Sequence, residues 1–186
     1  WYNAFTARLE RRFAKGFQAQ FNYTWSRAME AISYLNAYDP APEYRLSGVD
    51  RPHRVTLSAL YELPFGRGKN MGANVHPVLN HVIGGWQVQA IFQWQSGPAL
   101  EFGNVIYTGT WENLKLPEGE QSIDRWFNTA NFERNNQRQL DHNIRTFPSR
   151  VGAVRADGIN VWDFSAHKNF QIREGFRLQL RGEAEG

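Results

Sequence analysis

Gly66-Arg67-Gly68-Lys69-Asn70-Met71-Gly72 brings together the residue types of a phosphate-binding loop. Such a loop needs G-x-G-x-x-G or G-x-x-x-x-G-K-S/T, with a helix opening directly after it, so that backbone N–H groups converge on the anion. Neither spacing is present, and the stretch reads as a glycine-rich turn. Of five histidines (His53, His76, His81, His142 and His167), only His76 and His81 are close, and their spacing matches no metal-ligand template. With no cysteine, thiolate zinc sites and disulfides are excluded. Asp141-His142 and Ser149 lack the strand–turn–helix setting that exposes a nucleophilic serine. The expectation is no enzyme activity, no cofactor and no metal site.

Aromatic residues carry more information. Trp111, Trp126, Phe127, Phe132 and Phe147 lie in the stretch 97–158 among many Asn, Gln and Arg residues. Two readings stand. Trp111, Trp126 and Phe127 are candidate contacts for an extracellular ligand, since binding residues often sit on loops carried by a rigid scaffold. Alternatively these rings pack the loop against itself or against a rim, which is the preferred reading.

The chain as a whole is 41% hydrophobic and 15% aromatic, too apolar for disorder. Lys plus Arg exceeds Asp plus Glu by three (21 − 18), a weak sign of nucleic acid, and no such partner is expected. No apolar run approaches the ~18 residues of a membrane helix or forms a signal-peptide core. The chain opens on Trp1 rather than Met, as an excerpt or processed chain would.

The elements that must carry these residues are strands. In Phe17–Ser26, Phe17, Ala19, Phe21, Tyr23 and Trp25 alternate with Gln18, Gln20, Asn22, Thr24 and Ser26. Period two places all the apolar residues on one face. The pattern recurs, giving about six strands of roughly ten residues, near 3–13, 16–26, 54–64, 85–96, 160–170 and 175–185. Leu60 and Ile91 break it, and Lys168 falls on an apolar face. The connections at 14–16 and 171–175 are tight, 64–85 is intermediate with a helical turn expected at 77–82, and the loops 27–53 and 97–158 are long. In an up-and-down sheet both long loops then leave from one edge.

Alternation alone also fits a soluble β-sandwich, for instance a carbohydrate-type binding module using exposed aromatics. Strand length separates the two, because ten residues at ~3.3 Å tilted by ~40–45° span about 25 Å, the height of an outer-membrane apolar band. The apolar faces also carry aromatics toward their ends, where Trp and Tyr suit a membrane–water interface. The expected lipid-facing girdle comprises Phe17, Phe21, Tyr23, Trp25, Tyr61, Trp86, Phe92, Trp94, Trp162, Phe164, Phe170 and Phe176. The opposite faces are rich in Gln, Asn, Ser and Thr, as suits a hydrated interior. Arg8, Glu10, Arg177, Arg181 and Glu183 there either pair across strands and face a plug or are solvated lumen residues. Arg11, Arg12, Lys15, Arg67, Lys69 and Arg173 are either headgroup anchors or solvated turn residues, and Lys168 either snorkels to an interface or is exposed.

Several segments resemble Oar-like TonB-dependent receptors. They are Asp50-Arg51-Pro52-His53-Arg54 with Tyr61-Glu62-Leu63-Pro64-Phe65-Gly66-Arg67-Gly68-Lys69, then Gly84-Gly85-Trp86-Gln87-Val88 and Gln95-Ser96-Gly97. Trp126-Phe127-Asn128-Thr129-Ala130-Asn131-Phe132, Val161-Trp162-Asp163-Phe164-Ser165 through Lys168-Asn169-Phe170, and Leu180-Arg181-Gly182-Glu183-Ala184 follow in order, and Tyr2-Asn3-Ala4, Leu9-Glu10-Arg11-Arg12-Phe13 and Tyr23-Thr24-Trp25-Ser26 complete the match at the start. The resemblance runs over nearly the whole chain. It implies all-β architecture: antiparallel up-and-down strands forming an incomplete segment of a transmembrane β-barrel of about 22 strands. It also implies the bacterial outer membrane, transport of an unknown ligand, and as partners outer-membrane lipid, a plug domain and the TonB complex. The departure is at the end, where the family continues beyond Gly182-Glu183-Ala184 to a terminal strand.

Overall fold

The computed structural model describes residues 1–117 and 119–186, with the backbone alone at 171–173 and 177. Its strands are β1 (Tyr2–Ala14), β2 (Phe17–Glu30), β3 (Arg45–Leu46), β4 (His53–Glu62), β5 (Trp86–Gln95), β6 (Ala99–Glu101), β7 (Arg150–Arg155), β8 (Ile159–Arg173) and β9 (Phe176–Glu185), with a helix α1 (Pro77–Ile83) between β4 and β5. The six long strands lie in one sheet in the order β1-β2-β4-β5-β8-β9, and β3 pairs with the far end of β2. Sequential long strands are neighbours, so the sheet is an up-and-down meander, open at β1 and β9. It is all-β and antiparallel, an incomplete segment of barrel wall. The sandwich alternative is not supported: the long strands form a single sheet, and the other sheet is the small pair β6-β7.

Register keeps the alternation in phase across the sheet. Phe17 lies opposite Tyr61 and Ala19 opposite Ala59, Ala59 opposite Ala90, and Ala90 opposite Phe164. On the other face Asn22 meets Thr56, Thr56 meets Gln93, and Gln87 meets His167. A slip of one residue would exchange the faces, so the apolar pattern itself pins the pairing. The two exceptions, Leu60 and Ile91, sit on the polar face opposite Gln89 and Ser58, as diagonal neighbours of each other.

The tight turn between β1 and β2 places Lys15 and Gly16 at φ 52° and 78°, the left-handed pair that suits strand twist. At the other edge the structure departs from the expected loop bounds. β2 continues past Trp25 to Glu30, although its alternation ends, because Met29 and Glu30 find partners in Leu46 and Arg45. The stretch 97–158 is not structureless either: it holds β6, β7 and short 3-10 turns.

The chain forms two compact units. The wall unit comprises Phe5–Trp25, His53–Gln95 and Ile159–Gly186; the loop unit comprises Trp1–Ala4, Ser26–Pro52 and Ser96–Gly158. Among the described residues, every buried apolar side chain falls in the loop unit: Ala28, Leu46, Ala99, Phe102, Leu114, Phe147, Val151 and Val154.

Candidate functional site: an apolar wall and an ion-paired loop unit

Large apolar side chains stand uncovered on one face of the wall. Phe164 is 51% exposed, Trp25 and Phe176 56%, and Phe21, Tyr61, Trp94 and Trp162 are also exposed. They meet as cross-strand pairs, the unit of sheet stabilisation. The Phe17 and Tyr61 rings pack edge to face at 6.3 Å, and Phe92 lies 4.2 Å from Trp162. Tyr23 and His53 stack at 6.1 Å with the Tyr23 hydroxyl 2.8 Å from His53 Nδ1, and His53 also stacks on Trp94. His53 thus joins the aromatic row, a role its isolated position in sequence did not announce. Arg11 lies over the Phe17 ring at 5.2 Å. Lys168 is neither snorkelled nor exposed: it is 3% exposed, between Trp86 and Phe170.

The opposite face of the wall is hydrogen-bonded. Asn22 donates to Thr56 at 3.1 Å, and His167 and Gln87 bond at 2.7 Å. The charged groups pair mainly along a strand: Arg8 with Glu10, and Arg181 with Glu183. Arg8 also crosses to Gln20. The side chains of Arg173 and Arg177 lie outside the described residues.

The loop unit is built differently. Phe102 stacks on Phe132 and meets Phe127 and Phe147 edge to face, over Leu114, Val151 and Val154. Trp111 packs on Phe147 but stays half exposed, and Trp126 donates from Nε1 to the Arg155 carbonyl at 2.6 Å. The candidate ligand contacts Trp126 and Phe127 therefore also pack against the core of the unit, and Trp111 borders it.

An ion-pair network ties the two long connections together. The Asp50 carboxylate is fully buried; it accepts from the Ala28 N–H and from Arg155, each at 2.7 Å. Glu30 accepts from Arg45 at 2.9 Å and Arg150 at 2.7 Å, and Arg150 reaches Glu101 as well. Burial by itself would raise the Glu30 carboxyl, but hydrogen bonds from Ser47, Arg45 and Arg150 hold it below the ordinary glutamate value. Ser149 is buried and donates its hydroxyl to Glu43, while Arg45 donates to that hydroxyl, which accounts for it as a structural residue. Arg155 also donates to the carbonyl of Gly97. A Cβ at Gly97 would stand 1.8 Å from the Ala156 carbonyl oxygen, so only glycine fits that crossing. Asp50 and Gly97 belonged to segments singled out in the sequence. Arg150 and Arg155 did not, because their partners lie more than a hundred residues away.

No group of His, Asp or Glu among the described residues is arranged to hold a metal. Among the described residues no helix is long and apolar enough to cross a membrane. A family model described as an outer membrane beta barrel domain matches residues 1–185. The chain belongs to that family. This outer-membrane β-barrel domain accordingly resides in the bacterial outer membrane, in contact with lipid. No curated protein and no solved structure matches it.

Proposed function

We propose that this β-barrel domain is part of a TonB-dependent receptor that takes up a ligand across the outer membrane, and that it is not an enzyme. Its apolar face, from Phe17 through Tyr61, Ala90 and Phe164, faces lipid. Its Gln- and Asn-rich face lines the lumen toward a plug domain. The observation that carries the reading is the connection pattern: tight or intermediate connections at one edge, and at the other two long connections with a core and ion pairs of their own. Short periplasmic turns with long extracellular loops are what an uptake barrel needs, because loops meet the ligand and turns do not. The family-like segments, running in order from Asp50 to Ala184, supply the TonB-specific part. Ligand contacts would then come from exposed loop surface, Trp111 first.

The test is cross-linking of the full-length protein in cells to the periplasmic domain of TonB. A cross-link that is lost when the residues preceding the plug are deleted is expected. A full-length, membrane-inserted protein that never cross-links to TonB would overturn the TonB assignment and leave the barrel intact.

A further inference from the structure

The β4–β5 connection contains a helix that leaves three of its apolar residues uncovered. α1 has no buried residue; Val78 is 67% exposed, Val82 64% and Leu79 48%. These three positions, i, i+1 and i+4, fall on one side of the helix. Seven residues are too few to hold a helix in isolation, so tertiary contacts must hold this one.

Those contacts come from the apolar face of the wall. β5 ends its pairing with β8 at Trp86 opposite Lys168, and Lys168 shares its face with Phe164, Ala166 and Phe170. The Lys168 ammonium donates to the carbonyls of His81 at 2.6 Å and Val82 at 3.0 Å, and Trp86 Nε1 donates to Val82 at 2.9 Å. The last carbonyls of a helix are its negative, unsatisfied end, and a cation there meets both needs. A lysine on a membrane-facing wall would otherwise have to reach water. At the other end His76 caps the helix, Pro77 opens it, and Asn80 accepts from the Arg67 N–H at 2.7 Å. The helix is therefore fastened on the same side as the aromatic wall.

We infer that α1 is an interfacial foot, clamped to the wall by Lys168 and Trp86, that sets Val78, Leu79 and Val82 into the headgroup–acyl boundary of the phospholipid leaflet at the short-turn edge. The occupant is lipid because the helix is fastened, through Lys168 and Trp86, to the face of the wall proposed to meet lipid. The connection 63–85 also has no acidic residue; Lys69 pairs with Glu62 of β4, and Arg67, His76 and His81 remain as groups that suit anionic headgroups. This rests on the wall facing proposed above.

The test uses the full-length protein in phosphatidylethanolamine–phosphatidylglycerol vesicles, with single nitroxide labels at Val78→Cys, Val82→Cys, Ala90→Cys and Tyr38→Cys. Ala90 reports the wall, and Tyr38, almost fully exposed, reports water. Labels at 78 and 82 should be open to oxygen and lose access to a water-soluble nickel chelate, as at 90 and unlike 38. Nickel access at 78 and 82 with a lipid-immersed 90 would overturn the foot alone. So would exclusion of both quenchers, which would mean a protein cover. Nickel access at 90 would overturn the wall facing and the foot with it. In Lys168→Met the label at 82 should become mobile while 90 stays in lipid; an unchanged spectrum at 82 would overturn the clamp.

Discussion

The wall and the loop unit solve opposite problems with the same kinds of side chain. In the loop unit Phe102 and Phe147 turn inward and are buried, and Asp50 is paired out of water. In the wall unit the rings turn outward, and it has no buried apolar residue among those described. A sheet with one uncovered apolar face is unstable in water and appropriate in hydrocarbon. On the proposed lipid facing the contrast teaches that exposure has no fixed meaning: an exposed Phe164 and a buried Phe147 are then both satisfied, one by lipid and one by protein.

Substitutions can break that contrast or sharpen it. The largest effect is expected at Asp50. Asp50→Ala would leave the partly buried Arg155 without its carboxylate and the Ala28 N–H without an acceptor, costing about 3–5 kcal/mol in the loop unit. Hydrogen exchange on the full-length protein in detergent should show the loop unit opening while the amides of β4, β5 and β8 stay protected. Equal loss of protection in those strands would mean that the two units do not differ in what stabilises them.

Ala90→Arg comes next. On the lipid face it should cost ~2–4 kcal/mol of folding free energy in vesicles, whereas Gln89→Arg one residue away should be mild. Equal costs would contradict the facing. Gly97→Ala should cost about 1–3 kcal/mol, since the added methyl meets the Ala156 carbonyl and the loop must shift. Thermal unfolding of the loop unit would register it, and a neutral result would show that the crossing is looser than its geometry.

The smallest effect is a pH dependence. Glu30 is held below its ordinary value when folded, so its contribution is present above the unfolded pKa and is lost as pH falls through the folded one. The difference in loop-unit stability between the parent chain and Glu30→Gln should therefore be full at neutral pH and shrink on acidification below the usual glutamate range. A difference that did not change with pH would assign Glu30 a packing role instead.

Much of the wall was legible because period-two alternation is a local signal, written within any ten residues such as Phe17–Ser26. A single sheet with that pattern and those lengths could be read without knowing any partner strand. The roles of His53 and Lys168 were not legible. Each is a polar residue on an apolar row, and what satisfies it (Tyr23 and Trp94, or the carbonyls of α1) comes from another strand or a connection. The long stretch 97–158 hid its small sheet because β6 and β7 are short and find each other across some fifty residues.

By itself, then, the sequence determined which faces are apolar, that the strands are long, and which edge carries the long connections. All of these follow from side-chain chemistry repeated at short range. Only the tertiary structure decided that the long connections form a unit with its own core, that Asp50 answers Arg155, and that Lys168 closes a helix. Those pairings join residues far apart in the chain, and no local pattern encodes a partner that only folding brings within hydrogen-bond reach.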